Sequence, residues 1–377
     1  MDIAEIFRDN IIDFFLRFPE KDVMANRKVI YNIINCRTEA MGGEVFLCEE
    51  CGEYHYSYHS CKDRHCPKCG ESEAEKWLEK QYAKKLPVDY FMVTFTIPQE
   101  LRKICSHNKK VFYNGILFAA SETLKFLLSD EKYGGGEFGY IAVLHTWTRR
   151  LLYHPHLHCV VPNGTFNMAE NKWEIKNNKY FLPVKALSSR FRINLEKYIK
   201  ENAPEIYRKT DYTLWKKEFV TNVKNVGNTN AFIYLSKYVY KTGISNNRVV
   251  AYDKVNKTVI IKYQENKTKK IKYETMDCIE FIRRFLEHIL PCRFVKVRYY
   301  GFLSSKSKNK FEIIFNSFYV NELKTLEEIP ADTHEEIKVN HYQKREKNIC
   351  PKCNSIMMFV VGHFRKPRWP ALMKGNY

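Results

Sequence analysis

The sequence predicts an α+β protein, an antiparallel sheet with flanking helices, joined to a cysteine-rich N-terminal domain. Three observations support this fold class: β-like apolar runs at residues 90–97, 140–146 and 157–161, helical patterns between and around them, and paired cysteines near the N-terminus. The third run carries His156 and His158 and is expected near the centre of the sheet.

The other elements follow from periodicity and from residues that break it. Helical patterns are predicted at residues 1–35, 71–85, 111–128 and 276–290. Pro87 ends the second helix, Pro98 closes the first strand, and glycines 134–136 provide a connection before the strand pair. Residues 247–275 alternate in β fashion around two Asn-Lys pairs, which predicts hairpins.

Two C-x2-C pairs lie in the N-terminal region. Cys48 with Cys51 and Cys66 with Cys69 are separated by fourteen residues, a spacing close to that of a tetrahedral zinc site built from two knuckles. Four thiolates would leave no position for water, so we expect a structural zinc ion. A disulfide framework fits the paired C-x2-C units poorly.

Other side chains are possible additional zinc ligands. Cys36, Cys61 and His65 lie close in sequence to the two pairs, so a second ion or a different choice of four ligands stays open; otherwise these residues are packing or hydrogen-bonded neighbours. Cys350 and Cys353 repeat the knuckle near the C-terminus. Zinc there would need two partners from elsewhere, and an unmetallated turn is the alternative.

His156-Leu157-His158 is a candidate metal site on a single strand. Alternate residues of a strand point to the same face, so the two imidazoles could bind one divalent ion. His154 lies two positions earlier and is either a supporting or a packing residue. A single His-x-His also arises by chance, so the motif needs support from the rest of the chain.

A second motif comes about eighty residues later. If residues from 231 onward are helical, Tyr234 and Tyr238 are one turn apart, with Lys237 and Lys241 three residues after each. A phenol can attack a phosphodiester when nearby cations favour the phenolate and a metal polarises the phosphate. The alternative is a helix of packed aromatics, which we expect for Tyr240.

Together the two motifs resemble the two-tyrosine HUH transposases of rolling-circle insertion sequences, a family named for its His-hydrophobic-His motif. The resemblance spans roughly residues 36–303. Further similar segments lie at residues 95–98, 181–188, 244–248, 280–285, 288–291 and 298–301. Pro162-Asn163-Gly164 departs from the more glycine-rich turn expected there, which puts nothing catalytic in doubt.

The resemblance implies the fold, the cofactors and the chemistry. It implies a ferredoxin-like or RRM-like HUH core, and an N-terminal zinc-binding domain whose residues 60–69 read much like the family's. Mg²⁺ or Mn²⁺ held by His156 and His158 would polarise the scissile phosphate, and Tyr234 or Tyr238 would form a 5′-phosphotyrosine. HUH sites usually add a third polar ligand, which the sequence does not identify.

Composition is consistent with a nucleic-acid partner. The chain has 62 basic and 43 acidic residues, a net charge of +19, and aromatics make up 15% of it. Part of this charge reflects Asn- and Lys-heavy segments of the kind found in proteins from AT-biased genomes. The first twenty residues carry charges throughout, and no apolar run suggests a membrane span, so we expect a cytoplasmic protein.

The predicted function is therefore a transposase that cleaves and rejoins single-stranded DNA at insertion-sequence ends and target, without a nucleotide cofactor. The alternatives are a plasmid replication initiator or relaxase with the same chemistry, and a non-catalytic zinc-dependent nucleic-acid-binding protein. The predicted domains are a helical segment at 1–35, a zinc-binding domain at 36–86, a catalytic domain at 87–303, and a tail with a CxxC knuckle at 304–377.

Overall fold

The structure is a computed structural model that describes residues 1–175, 182–228, 230–239, 243–265, 268–326, 349–355 and 358–364. The chain divides into two compact units. One unit consists of residues 70–327 and is called the catalytic unit because it contains the predicted catalytic domain. The other, the N-terminal unit, joins residues 2–69 with the described part of residues 328–377.

Helices and strands are numbered in chain order. The α-helices of the described residues are α1 (Ile3–Arg17), α2 (Met24–Asn35), α3 (Gly70–Tyr82), α4 (Gln99–His107), α5 (Lys109–Leu128), α6 (Val184–Asn202), α7 (Pro204–Lys209), α8 (Asn230–Val239), α9 (Cys278–Glu287) and α10 (Lys308–Leu326). Their strands are β1 (Gly43–Cys48), β2 (Tyr54–Tyr58), β3 (Tyr90–Thr96), β4 (Gly139–Trp147), β5 (Tyr153–Pro162), β6 (Thr165–Asn167), β7 (Lys172–Glu174), β8 (Val220–Asn225), β9 (Val249–Asp253), β10 (Thr258–Gln264), β11 (Ile271–Asp277), β12 (Val297–Gly301) and β13 (Met358–Phe364).

The N-terminal unit combines a helix pair with a small sheet. The side chain of Asp2 caps α1 by accepting a hydrogen bond from the backbone N–H of Ala4, and the buried residues Phe7 and Phe14 lie on one side of this helix. The helices α1 and α2 pack against each other. The sheet is antiparallel with the order β13-β1-β2, so a strand from the C-terminal segment completes it.

A five-stranded antiparallel sheet forms the centre of the catalytic unit. Its order is β12-β4-β5-β3-β8, which places the histidine strand β5 in the middle. The predicted α+β class, with an antiparallel sheet and flanking helices, is thereby confirmed.

Each face of this sheet has its own core. Val93, Leu144 and Leu157 lie on the face covered by α4, α5 and α6. Val143 and Val160 lie on the opposite face, where buried residues of α3, α8 and α10 pack. Because strand residues alternate between faces, His156 and His158 share the face of Val160.

A separate antiparallel sheet, β9-β10-β11, follows α8 and agrees with the predicted hairpins. Asp277 then caps α9 by accepting hydrogen bonds from the backbone N–H groups of Ile279 and Glu280.

The unit boundaries differ from the domain boundaries that the sequence predicted. The helices α3 and α10 belong to the catalytic unit, whereas β13 and the C-terminal cysteine pair belong to the N-terminal unit. β13 joins the N-terminal unit because it pairs with β1 across more than 300 positions of sequence, whereas α3 and α10 pack on the central sheet through Trp77 and Ile314.

The helix α5 is long and apolar enough to cross a membrane by length and composition, a feature that the sequence analysis did not identify. In the structure, Phe112, Ile116 and Leu124 of this helix are fully buried in the core beneath the sheet. Its apolar composition is therefore accounted for by packing within the protein.

We expect Gly301→Ala to destabilise the protein more than Gly227→Ala. Both glycines have a positive φ, 60° and 67°, so both substitutions carry the strain of a left-handed backbone, about 1 kcal/mol. At Gly301, however, a Cβ would lie 1.8 Å from the carbonyl oxygen of Phe138, whereas nothing lies within 4 Å at Gly227. Urea unfolding of the full chain measures both. Equal unfolding midpoints for the two variants would contradict the packing described at the end of β12.

Candidate active site and metal-binding cysteines

The pairing of β4 with β5 brings three histidines together. His145 of β4 lies directly opposite His156 of β5, and His158 follows two residues later on the same face. The ligand nitrogens of all three lie within 4.8 Å of one another. The regular register ends just after His145, and such irregularities are common beside active sites.

Hydrogen bonds orient two of these imidazoles. Nδ1 of His156 lies 2.6 Å from the carbonyl oxygen of His154, and because a carbonyl only accepts, Nδ1 must carry the proton. Nε2 of His156 therefore has a lone pair, and it lies 3.2 Å from Nδ1 of His145. Nδ1 of His158 is 3.1 Å from Oγ1 of Thr94 on β3.

Burial keeps the three rings neutral. Desolvation, followed by the charges of neighbouring histidines, lowers the pKa of His145 and of His158 well below the ordinary value. Desolvation also lowers the pKa of His156 to about 4. Neutral imidazoles can offer lone pairs to a cation near pH 7, which is the form that metal binding requires.

The spacing of the nitrogens fits a metal ion. Nitrogens about 2.1 Å from one ion lie about 3.0 Å apart at right angles and about 3.4 Å apart in a tetrahedron. The 3.2 Å separation between His145 and His156 falls between these values. His145 could thus be the third ligand that sequence reasoning left unplaced.

Two residues near this site were not assigned a role from sequence. His145 lies on β4, and only the register between β4 and β5 shows that it is next to His156. Arg102 of α4 is close enough for its charge to lower the pKa of His154 and of His156. Among the described residues, its buried Nε has no hydrogen-bond partner.

His154 is not a member of the metal-binding group. Its ring lies 4.9 Å from the ring of His156, and its carbonyl oxygen accepts the hydrogen bond that orients that residue. The backbone of His154 therefore orients the ring of His156, whereas a supporting or packing role for its own imidazole stays a prediction.

The helix α8 carries Tyr234, Lys237 and Tyr238, and their side chains lie outside the part of the chain that the structure describes, as does all of Lys241. The helix α8 packs on the same sheet face as the histidines through Leu235 and other buried residues.

The first turn of α8 lies at the end of the sheet far from the histidines. There the ring of Phe232 is 5.0 Å from that of Tyr90, the first residue of β3.

The chain after α8 returns to the histidine end of the sheet. Gly243 lies close to Leu151, which is in the turn between β4 and β5. The helix backbone therefore runs from the end of the sheet marked by Tyr90 toward the end that carries His145 and His156.

The cysteines form two groups, which corrects the prediction that the two N-terminal pairs share one site. Their members are Cys36, Cys61, Cys66 and Cys69 in one group, and Cys48, Cys51, Cys350 and Cys353 in the other. The hairpin of β1 and β2 explains the separation. Cys48 and Cys51 lie at its turn, whereas Cys36 and Cys61 flank its open end, and the paired ladder between the two ends spans four residue steps, about 14 Å.

Both groups have the dimensions of a zinc tetrathiolate. In the first, Sγ of Cys69 lies 3.5 Å from that of Cys36 and 3.7 Å from that of Cys61. Zn–S bonds of about 2.3 Å in a tetrahedron place sulfurs about 3.8 Å apart. His65 is not in the group, and its Nδ1 is 3.0 Å from Oδ1 of Asp63.

Two family models match parts of this chain. Residues 139–310 match the family model described as "Putative transposase", and residues 6–97 match the model described as "Transposase zinc-binding domain". No solved structure matches the chain.

Two curated relatives extend over most of the chain. The "Putative transposase y4qJ" of Sinorhizobium fredii is 33% identical over 359 residues, covering 90% of each protein. The "Transposase for insertion sequence element IS801" of Pseudomonas savastanoi pv. phaseolicola is 23% identical, covering 74% of this chain and 70% of that protein. With a zinc-binding domain and cysteine groups that support structural zinc, the chain belongs to the IS91/IS801-type transposases of the rolling-circle HUH family.

Proposed function

We propose that this transposase cleaves and rejoins single-stranded DNA at insertion-sequence ends through a covalent 5′-phosphotyrosine. The observation that carries the proposal is the group of His145, His156 and His158, three neutral imidazoles on the sheet face that α8 covers. Magnesium or manganese bound there would supply polarisation of the scissile phosphodiester.

The reaction is a transesterification. The phenolate oxygen of Tyr234 or Tyr238 attacks the phosphorus, a P–O bond to tyrosine forms, and the bond to the 3′ oxygen breaks. The leaving 3′ oxygen takes a proton, and the bond energy is conserved for rejoining, so no nucleotide cofactor is needed. Lys237 and Lys241 would offset phosphate charge, and two tyrosines would allow two strand ends to be held at once.

The direction of α8 supports this assignment, because its backbone approaches the histidine end of the sheet. The net charge of +19 supports a polyanionic partner whose binding weakens with salt. The transposase relatives favour insertion-sequence ends as substrate over a plasmid origin, and we propose a cytoplasmic location for this activity.

We expect His145→Ala and His156→Ala each to reduce metal-dependent cleavage of a single-stranded oligonucleotide by at least about 100-fold, because each removes a proposed ligand. His154→Ala is the matched control. It removes a neighbouring imidazole but keeps the carbonyl that orients His156, so its loss should be much smaller. The cleavage rate is measured against Mn²⁺ concentration, with zinc content as a check of folding. Full activity of the His145 variant would exclude it as a ligand.

Each of the variants Tyr234→Phe and Tyr238→Phe should retain some cleavage of a short oligonucleotide, whereas the double variant should retain none. Residues one helical turn apart can reach the same phosphate after a modest shift of helix or substrate. Peptide mapping of the covalent adduct identifies the nucleophile, and Tyr240→Phe is the control. An adduct on Tyr240, or efficient cutting without any adduct, would replace the tyrosine mechanism with another nucleophile.

Arg102 is expected to bind the phosphate near the scissile bond, since its buried Nε has no partner among the described residues. Arg102→Met should lower cleavage by about 10-fold or more, and Arg102→Lys should recover part of it because the charge returns without the planar guanidinium. Single-turnover rates at saturating DNA separate this effect from binding. Equal rates for the wild type and the Met variant would assign Arg102 to packing alone.

A further inference from the structure

We propose that Cys48, Cys51, Cys350 and Cys353 bind a second structural zinc ion, which fastens the C-terminal segment to the N-terminal unit. The family's zinc-binding domain matches residues 6–97 and so contains only two of these four cysteines. The other two, Cys350 and Cys353, lie 299 to 305 positions after their partners in the sequence.

The sulfur geometry is that of a closed tetrathiolate site. Sγ of Cys48 lies 3.6 Å from that of Cys353, and Sγ of Cys51 lies 3.7 Å from that of Cys350. All four sulfurs lie within 4.8 Å of one another. These separations match the edge of about 3.8 Å expected around zinc and are far longer than an S–S bond of about 2.0 Å.

The two cysteine pairs also have the same backbone turn. The N–H of Gly52 donates to the carbonyl of Cys48, and the N–H of Asn354 donates to the carbonyl of Cys350, each at 2.9 Å. Gly52 and Asn354 occupy the equivalent fourth position after the first cysteine, and both have left-handed φ values of 66° and 59°.

A second hydrogen bond repeats in each turn. The N–H of Cys48 donates to the carbonyl of Glu53, and the N–H of Cys350 donates to the carbonyl of Ser355, at 3.0 and 2.9 Å. Two knuckles of matching geometry that face each other are the arrangement of a zinc ribbon. Here the second knuckle comes from the other end of the chain.

The surrounding contacts hold the C-terminal knuckle in this position. Lys352 forms an ion pair with Glu53 of the opposite knuckle. The strand β13, which follows, is antiparallel to β1 from Gly43↔Phe364 to Cys48↔Met358. Cys48 and Cys350 are buried, and both pack against Phe46 of β1. Closing so long a loop costs entropy that grows only slowly with its length, and metal bonds can offset it.

The test is the zinc content of the purified full chain, measured by elemental mass spectrometry. The wild type should contain two zinc ions per chain, and the double variant Cys350→Ser/Cys353→Ser should contain one. Cys292→Ser, which removes an exposed cysteine outside both groups, is the matched control and should retain two.

Amide hydrogen exchange provides a readout independent of DNA cleavage. Exchange in β1 and β13 should accelerate in the double variant, while exchange in β4 and β5 should stay unchanged. A wild-type content of one zinc ion, two ions in the double variant, or an intact mass showing a disulfide between the pairs would each overturn the proposal. Zinc content measured in the His145→Ala/His156→Ala variant, whose histidine group is incomplete, decides the question even if the cysteine double variant is insoluble: two ions are expected there, and one would overturn the proposal. Neither measurement depends on the proposed cleavage chemistry.

Discussion

The register between β4 and β5 is the constraint on which the candidate active site depends. It places His145 opposite His156, and a shift of one residue would turn His145 toward the core beneath the sheet. Apolar residues on both faces hold this register, with Leu144 and Leu157 facing one core and Val143 and Val160 the other. The packing that folds the central sheet therefore also sets the separations between the proposed ligand nitrogens.

Burial makes the three histidines suitable metal ligands, but it also costs free energy of folding. Desolvation lowers the pKa values of all three rings, so they are neutral and suited to a cation, but neutral polar rings in an apolar setting lose their water contacts. Thr94 and the carbonyl of His154 recover part of this loss. A divalent ion held by these nitrogens would stabilise the folded sheet, because a ligand that binds only the folded state raises its stability.

Local sequence patterns identified much of the fold and part of the site. The strand with His156 and His158 was predicted near the centre of the sheet, and its alternation put both rings on one face. The position of His145 beside these two rings was not predictable, because it depends on a partner strand and a register that a single sequence does not specify. The predicted grouping of the cysteines was wrong for a related reason.

The short spacing along the chain predicts that the N-terminal cysteine pairs are close in space, but the hairpin of β1 and β2 separates them. The partners of Cys48 and Cys51 come from the far end of the sequence, so each end of the chain supplies one knuckle and one edge of the same small sheet. The catalytic unit can form all of its strand pairs from residues 70–327, whereas the N-terminal unit needs residues near position 350. A chain that ends before this knuckle would thus retain the histidine group and lose half of the second cysteine group, so the two units differ in which part of the chain must be made before they can fold.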